Sequence, residues 1–206
     1  MKRYLTVILC IVLVFLLWGC KQKTTPLTQD ELEWFGTEFF ADIEDIEEEV
    51  QVFNIRNMFL RCEFDAPENI DYEVVFREGL GEYDAVTQAE IDLYIRTTGN
   101  DIGSNYAKIS KEDMITVFQA NTGLHPDETL KIGLDKLVYL AEYDAYYHGH
   151  GGIAYGFYNI QSGERAANGT VKLYYRALRT GHNPLWCVTL KPAGDTYHFV
   201  SNLPAE

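Results

Sequence analysis

The chain changes character after Leu137, and this change limits the available folds more than any other feature of the sequence. Beyond it come short runs rich in Val, Tyr and Thr, separated by glycines, a pattern typical of strands joined by tight turns. The predicted strands are residues 152–158, 169–177, 185–190 and 196–201. Gly194, between Ala193 and Asp195, predicts the turn of a closing hairpin. The C-terminal third should therefore form an antiparallel meander.

Before Leu137, three segments share one pattern that marks the start of a helix. They read LTQDEL from Leu27, VTQAEI from Val86 and ISKEDM from Ile109. In each, an apolar residue precedes Thr or Ser, and an acidic residue follows three positions later, as in a capping box with a hydrophobic staple. The pattern predicts helices that begin at residues 28, 87 and 110. Gly99 and Gly123 predict the ends of the second and third, because glycine commonly terminates helices.

Shorter helical segments are predicted in the rest of the N-terminal part. Residues 126–136 begin with proline and two acidic residues, which favours a fourth helix. Residues 54–61 and 71–77 predict two short helices. Residues 42–49 read DIEDIEEE, and we interpret this acidic run as a solvated face of a helix or of a loop edge.

This order of elements predicts an α+β fold, with N-terminal helices followed by a C-terminal antiparallel sheet. Residues 27–206 are long enough for one domain with its own core, and neither repeats nor a long linker divide them. An NTF2-like fold, in which helices wrap a cone-shaped sheet, is one architecture compatible with this order.

The first twenty residues, MKRYLTVILCIVLVFLLWGC, have the layout of a secretory signal peptide: two basic residues, an uncharged run and a short stop. Leu17, Gly19 and Cys20 resemble the lipobox of bacterial lipoproteins, from which Trp18 departs because that position usually holds a small residue. The alternative is an uncleaved N-terminal anchor. The run is shorter, however, than the roughly 20 apolar residues of a spanning helix.

The lipobox resemblance implies a cellular location for the whole chain. Residues 1–20 would form the lipoprotein signal peptide, with cleavage just before Cys20. Cys20 would then be the lipidated first residue of the mature chain, and residues 21–26 would tether the domain. We therefore expect a protein anchored to the cell membrane by lipid, with its domain on the extracytoplasmic face.

The net charge excludes some partners. The chain carries −14, and loss of Lys2 and Arg3 with the signal peptide leaves 15 basic against 31 acidic residues. Such a domain repels nucleic acid and anionic lipid, so no nucleic-acid partner is expected. An extracellular ligand or a protein of the cell envelope remains as the expected partner.

Two cysteines lie beyond the signal peptide and the lipidation site. Cys62 and Cys187 are 125 positions apart in a chain expected to face an oxidising exterior. Such an exterior permits a disulfide between them, whereas two separate buried thiols are the other reading.

His148 and His150 form the sharpest candidate site, within the stretch EYDAYYHGHGG from Glu142. Two residues apart on a strand, both imidazoles would face one side, as many paired metal ligands do. A catalytic zinc needs a third protein ligand, and no spacing singles one out among the candidates Asp144, Glu142, His125, His182 and His198. The glycines of the stretch instead favour a loop whose histidines hold no metal, so both readings stay open.

Tyrosines crowd the same stretch and suggest a second use for it. Tyrosine combines apolar area with a polar tip and is common in recognition surfaces. The resulting candidate ligand groove consists of Tyr143, Asp144, Tyr146, Tyr147, His148 and His150. The alternative is that these rings are the core and rim of a sheet.

The sequence lacks the familiar catalytic motifs. It has no Gly-x-Ser-x-Gly nucleophile elbow, no His-Glu-x-x-His, no Walker A loop and no dinucleotide fingerprint. A ligand- or partner-binding module without catalysis is thus the leading hypothesis. The alternatives are a metal-dependent hydrolase centred on His148 and His150 and a structural accessory lipoprotein of an envelope complex.

The mature chain also resembles surface lipoproteins of Firmicutes to which no activity is assigned. The resemblance rests on the patterns Leu-Thr-x-x-Glu-Leu-x-Trp-Phe at 27–35, Tyr-Asp-Ala-Tyr-Tyr-His-x-His at 143–150, and Trp-x-Cys-Val-Thr-Leu-Lys near the C-terminal end. This chain departs from the third pattern, because Trp186 and Cys187 are adjacent before Val188 to Lys191. The resemblance implies that the chain is a lipoprotein at the cell surface, and it adds no catalytic residue.

Overall fold

The computed structural model describes residues 23–45, 50–52, 54–80, 86–101, 103, 106–149, 158–177 and 183–205. In chain order its strands are β1 (Thr24–Pro26), β2 (Ile43–Asp45), β3 (Val50–Val52), β4 (Tyr106–Ser110), β5 (Val138–Leu140), β6 (Ala145–Gly149), β7 (Tyr158–Ala166), β8 (Val171–Ala177), β9 (Leu185–Ala193) and β10 (Thr196–Pro204). Its α-helices are α1 (Gln29–Trp34), α2 (Arg56–Phe59), α3 (Tyr72–Phe76), α4 (Gln88–Thr98) and α5 (Lys111–Thr122). The α+β class is confirmed.

The three predicted helix starts are correct because their signals are local. Thr28 and Thr87 each form a complete capping box at the start of α1 and α4. Ser110 caps α5 by accepting a hydrogen bond from the backbone of Asp113. Gly99 and Gly123 end α4 and α5 in the left-handed conformation that glycine adopts without strain. The two short helices appear as α2 and α3, and a π-helical turn, Phe35–Phe39, continues α1.

The fourth predicted helix, residues 126–136, is wrong. Two 3₁₀ turns, Pro126–Glu128 and Leu134–Lys136, stand in its place. Lys131 and Gly133 between them have φ of 52° and 72°, outside the right-handed helical region. Residues far away in the chain hold the backbone here: the backbone N–H of Tyr72 donates to the carbonyl of Ile132 at 2.8 Å, and that of Leu130 donates to the carbonyl of Glu68 at 3.0 Å. A contact with a residue far away in the chain has therefore overridden the local helix signal.

The acidic run 42–49 also differs from its prediction. Its first described part is β2, which pairs with β3 in a two-stranded antiparallel sheet, and residues 46–49 lie outside the described residues. The prediction of a helical face is therefore wrong for β2.

The main sheet is an antiparallel meander in the order β1-β7-β8-β9-β10. The predicted strands 169–177, 185–190 and 196–201 are confirmed as β8, β9 and β10. Of the predicted strand 152–158, only Tyr158 is described, and it begins β7. β1 pairs with Glu164–Ala166 of β7, so the last three residues of the expected tether belong to the sheet.

The core lies on the inner face of this sheet. Side chains at alternate positions of β8, β9 and β10 are fully buried there. They are Val171, Leu173, Tyr175, Val188, Leu190 and Phe199. Rings from the π-helical turn and from α2 cover them, and Phe59 stacks on Phe199 with their centroids 4.8 Å apart. Hydrophobic burial of this kind is the dominant favourable contribution to folding.

A three-stranded sheet has the strand order β4-β6-β5. Strand β4 lies in the part of the chain predicted to be helical, whereas β5 and β6 follow Leu137 but precede the first predicted strand at residue 152. The predictions missed its strands because two have only five residues and one has three, and because Ser110 ends β4 while capping α5. One face of this sheet packs on α4 and the other on the main core. None of the helices in the described ranges has the length and apolar composition needed to cross a bilayer.

Candidate functional site

Strand β6 carries most of the residues predicted to form a ligand groove, and its pleat divides them. Tyr147 pairs with Lys108 of β4 and faces α4. His148 and Tyr146 pair with Ala107 and Ile109 and point to the opposite face. The predicted set therefore does not form one groove. His150 lies outside the described residues.

On the α4 side, Tyr147 belongs to a buried network around Glu90, whose side chain is about 2 % exposed. Oε1 of Glu90 accepts hydrogen bonds from Tyr147 Oη at 2.5 Å and from Lys108 Nζ at 2.8 Å. Oε2 accepts from the backbone nitrogen and Oγ1 of Thr87, each at 2.7 Å. Burial alone would raise the pKa of Glu90, but the hydrogen bonds from Lys108, Tyr147 and Thr87 outweigh it and lower the pKa to about 2. This is a structural ion pair that ties α4 to β4 and β6.

On the other face, His148 lies beside an ionic cluster on α3. Its Nε2 is 3.6 Å from Oε1 of Glu73, and Nδ1 makes no hydrogen bond with any described residue. Burial lowers the pKa of His148, Glu73 raises it and Arg77 lowers it further. The net shift is downward, which favours the neutral imidazole at pH 7.

Asp144, Tyr143 and Tyr146 lie in or next to the turn between β5 and β6. Asp144 has φ of 45° and accepts a hydrogen bond from the hydroxyl of Tyr139. Tyr146 is half-buried, and its ring centroid is 5.0 Å from that of Tyr139. Tyr143 is exposed. These rings form the rim of the three-stranded sheet, so the reading of tyrosines as sheet core and rim holds for Tyr146 and Tyr147.

Within the described ranges, no three His, Cys, Asp or Glu side chains come together as a metal site would require. Of the predicted zinc ligands, His148 faces Glu73 and Asp144 bonds with Tyr139. Cys62 and Cys187 are free thiols. Burial raises the pKa of both, that of Cys62 to about 11, so both are protonated at neutral pH.

A cleft of about 390 Å³ lies where the inner face of the main sheet emerges from under α2 and α3. Its volume is within the usual range of small-molecule sites, roughly 300–1,000 Å³. The cleft is lined by Leu60, Arg61, Val74, Arg77, Tyr158, Tyr175, Ala177, Asn183, Pro184 and Trp186. We call it the arginine–aromatic cleft.

Three rings on neighbouring strands form its sheet side. Tyr175 of β8 lies directly opposite Trp186 of β9. The ring of Tyr158, at the start of β7, meets that of Tyr175 edge to face with the centroids 5.5 Å apart. Strand pairing therefore fixes the aromatic wall without any ligand present.

Hydrogen bonds hold these rings in place. The hydroxyl of Tyr158 donates to the carbonyl of Asn57 at 2.9 Å. The hydroxyl of Tyr175 lies 2.9 Å from the carbonyl of Leu60 and 2.8 Å from Oδ1 of Asn202, both of which accept from it. Asn202 is fully buried and donates to the carbonyls of Leu60 and Cys62, which joins β10 to the loop after α2.

Two arginines form the helical side of the cleft. Arg61 follows α2, and its Nη1 is 3.6 Å from Sδ of Met58. Arg77 follows α3, and its side chain is 39 % exposed. Glu73 and Glu78 flank Arg77 at 3.6 and 3.8 Å, beyond hydrogen-bonding distance, and neither of them lines the cleft. At the rim, Nη1 of Arg176 donates to the carbonyl of Asn183 at 2.5 Å.

A second depression, of about 700 Å³, lies between α1 and β7. Its described lining contains a single charged residue, Glu33, and an aromatic ring only from Tyr158. The arginine–aromatic cleft combines an apolar wall with convergent charged groups, which is the usual composition of a ligand site. The arginine–aromatic cleft is therefore the better candidate for a ligand site.

Sequence reasoning missed the cleft. Trp186 stands two and four positions before Val188 and Leu190 in the predicted strand 185–190, and this spacing, which places all three on the inner face, was the available signal. Arg61, Arg77 and Tyr158 belong to no motif and are brought together by the fold alone. A comparison of the chain with protein-family models, curated proteins and solved structures finds no match.

Proposed function

We propose that this chain is an extracytoplasmic lipoprotein, held to the membrane through Cys20, whose folded domain binds a small ligand in the arginine–aromatic cleft. The observation that carries the proposal is the cleft itself, with its fixed aromatic wall and two arginines. The role proposed is binding, without turnover of the ligand.

The proposed lipid anchoring is supported by the N-terminal sequence. A basic start, an uncharged run and Leu17, Gly19 and Cys20 together make the pattern of a lipidation signal. Fractionation of cells that express the full chain tests it. Wild type should be in the membrane fraction, whereas Cys20→Ala should move to the soluble fraction or accumulate as the longer precursor. Membrane retention of a Cys20→Ala protein of mature length would contradict lipid anchoring.

The pre-formed walls favour binding. The tyrosine hydroxyls of the cleft are already bonded to the backbone, so a ligand need not order them. A site that is organised before binding avoids part of the entropy loss that otherwise weakens affinity.

Binding is tested with three single-ring probes of similar size: phenyl phosphate, benzylamine and benzyl alcohol. Each is titrated by calorimetry into the full chain purified in a neutral maltoside detergent. At least one should bind saturably at one site per chain. Ala177→Phe should abolish that binding, because Ala177 lines the cleft and a larger side chain would fill it.

The control for Ala177→Phe is Lys172→Phe, an exposed position on the same strand. If binding survives Ala177→Phe, or is equally lost in Lys172→Phe, the cleft is not the site. If none of the probes binds at millimolar concentration, the proposed function fails.

A further inference from the structure

We infer that the ligand of the arginine–aromatic cleft carries an anionic group, a carboxylate or a phosphate, which Arg61 and Arg77 bind while its apolar body lies against Trp186 and Tyr158. This inference rests on the proposed function and specifies the class of ligand.

The charge of the lining is the first argument. Among the described residues that line the cleft, Arg61 and Arg77 are the charged ones, and both are basic. The chain as a whole has 31 acidic and 17 basic residues. The part of the lining that the structure describes thus reverses the overall charge of the chain locally, since it carries two arginines and no carboxylate. It would attract an anion at short range while the rest of the surface repels polyanions.

The state of Arg77 is the second argument. Its Nε is buried and makes no hydrogen bond with a described residue, and its ion pairs with Glu73 and Glu78, at 3.6 and 3.8 Å, are longer than hydrogen bonds. Glu73 also lies 3.9 Å from Nζ of Lys136 and 3.6 Å from Nε2 of His148, so its charge is not directed at Arg77 alone. A guanidinium stays protonated at every physiological pH and presents a planar fork that matches carboxylate and phosphate oxygens.

The polar groups of the wall supply the third argument. The hydroxyls of Tyr158 and Tyr175 donate to backbone carbonyls of Asn57 and Leu60. A neutral polar ligand would therefore find few donors on the aromatic side, which offers mainly ring surface. Leu60, Val74 and Pro184 add further apolar surface. The cleft thus separates an apolar wall from a cationic one, and a ligand with an apolar body and one anionic end matches both.

The test compares probes that share one ring and differ in charge: phenyl phosphate, phenylacetate, benzylamine and benzyl alcohol, with inorganic phosphate as a probe without a ring. Each is titrated into the full chain in neutral detergent. The two anionic aromatic probes should bind at least tenfold more tightly than benzylamine and benzyl alcohol. The ratio between phenyl phosphate and phenylacetate distinguishes a phosphate site from a carboxylate site.

Arg61→Gln and Arg77→Gln should each weaken anion binding by roughly tenfold or more, because each removes a charge-assisted hydrogen-bonding group. The matched control is Arg96→Gln, which removes the same charge from an exposed position near the end of α4. It should change affinity by less than about twofold, since exposed charges act weakly at a distance.

Two outcomes would overturn the inference. If benzylamine or benzyl alcohol binds as tightly as the anions and the arginine variants do not weaken binding, the anionic class is wrong while the proposed binding function stands. If inorganic phosphate binds as tightly as phenyl phosphate, the aromatic wall does not contact the ligand. The absence of binding by every probe would instead refute the proposed function itself.

Discussion

Glu90 should contribute a large share of the stability of the domain, and replacing it with Gln tests this directly. Its pKa of about 2 in the folded protein, against an ordinary value of 4.5, corresponds to about 3 kcal/mol of stabilisation at neutral pH. A domain of this size is stable by roughly 5–15 kcal/mol in total. Gln would also place an amide donor among groups that all donate to Glu90, and would leave Lys108 without its partner. We therefore expect Glu90→Gln to lose about 3–5 kcal/mol.

The lowered pKa of Glu90 also determines how its contribution to stability changes with pH. Because the folded protein depresses the pKa of Glu90, the unfolded chain binds the proton first as the pH falls. The stabilisation from Glu90 is fully present above about pH 5.5. It is lost as the pH falls from 4.5, the ordinary pKa, towards 2, the pKa in the folded protein. The difference between wild type and Glu90→Gln should therefore shrink with acidification.

Urea unfolding of both proteins, followed by circular dichroism at pH 7 and at pH 3, measures these free energies. A double-mutant cycle with Lys108→Met isolates the pair, and the coupling between Glu90 and Lys108 should be favourable. A loss below about 1 kcal/mol at pH 7, or a difference that stays the same at pH 3, would refute the reasoning.

Two further predictions concern a helix end and the proposed metal. Gly123→Ala should destabilise the protein by more than about 1 kcal/mol, because φ is +77° and the new Cβ would lie 2.6 Å from Nδ1 of His198. Gly99→Ala is the control, since φ is +74° there but no atom lies within 4 Å, and thermal unfolding should show the smaller loss; equal losses would contradict the steric argument. The zinc site predicted from the sequence requires near-stoichiometric metal in the full chain, purified without chelators or metal columns, and its loss in the His148→Ala/His150→Ala double variant. Elemental analysis decides this, and equal metal content in the two proteins would end that prediction.

The features of the fold that depend on neighbouring residues could be predicted. Thr28, Thr87 and Ser110 act within three residues of themselves, so their helix starts can be read from the sequence. The same holds for β8 and β9, in which more and less buried side chains alternate as in a sheet with one buried face. Residues 126–136 show where such prediction fails, because the carbonyl of Ile132 accepts a hydrogen bond from the backbone of Tyr72, which lies 60 positions away.

The candidate site was less accessible to prediction for the same reason. Sequence reasoning placed Tyr147 and His148 in one groove, yet adjacent strand residues point to opposite faces. The cleft takes Arg61 and Arg77 from the ends of two short helices and Trp186 from a distant strand. No spacing links these residues, so only the packed structure brings them together.

The pairing of β1 with β7 limits how far the domain can stand from the membrane. Under the proposed lipid anchor, Cys20 is four residues from Thr24, so the free chain between them can reach at most about 14 Å. The anchored end therefore meets β7 near Ala166, whereas the arginine–aromatic cleft begins at Tyr158, the other end of that strand. At about 3.3 Å per residue, the two ends of β7 are roughly 26 Å apart. The domain would sit close above the lipid headgroups, with its cleft at the end of β7 remote from the anchor and open to ligands that diffuse in the surrounding medium.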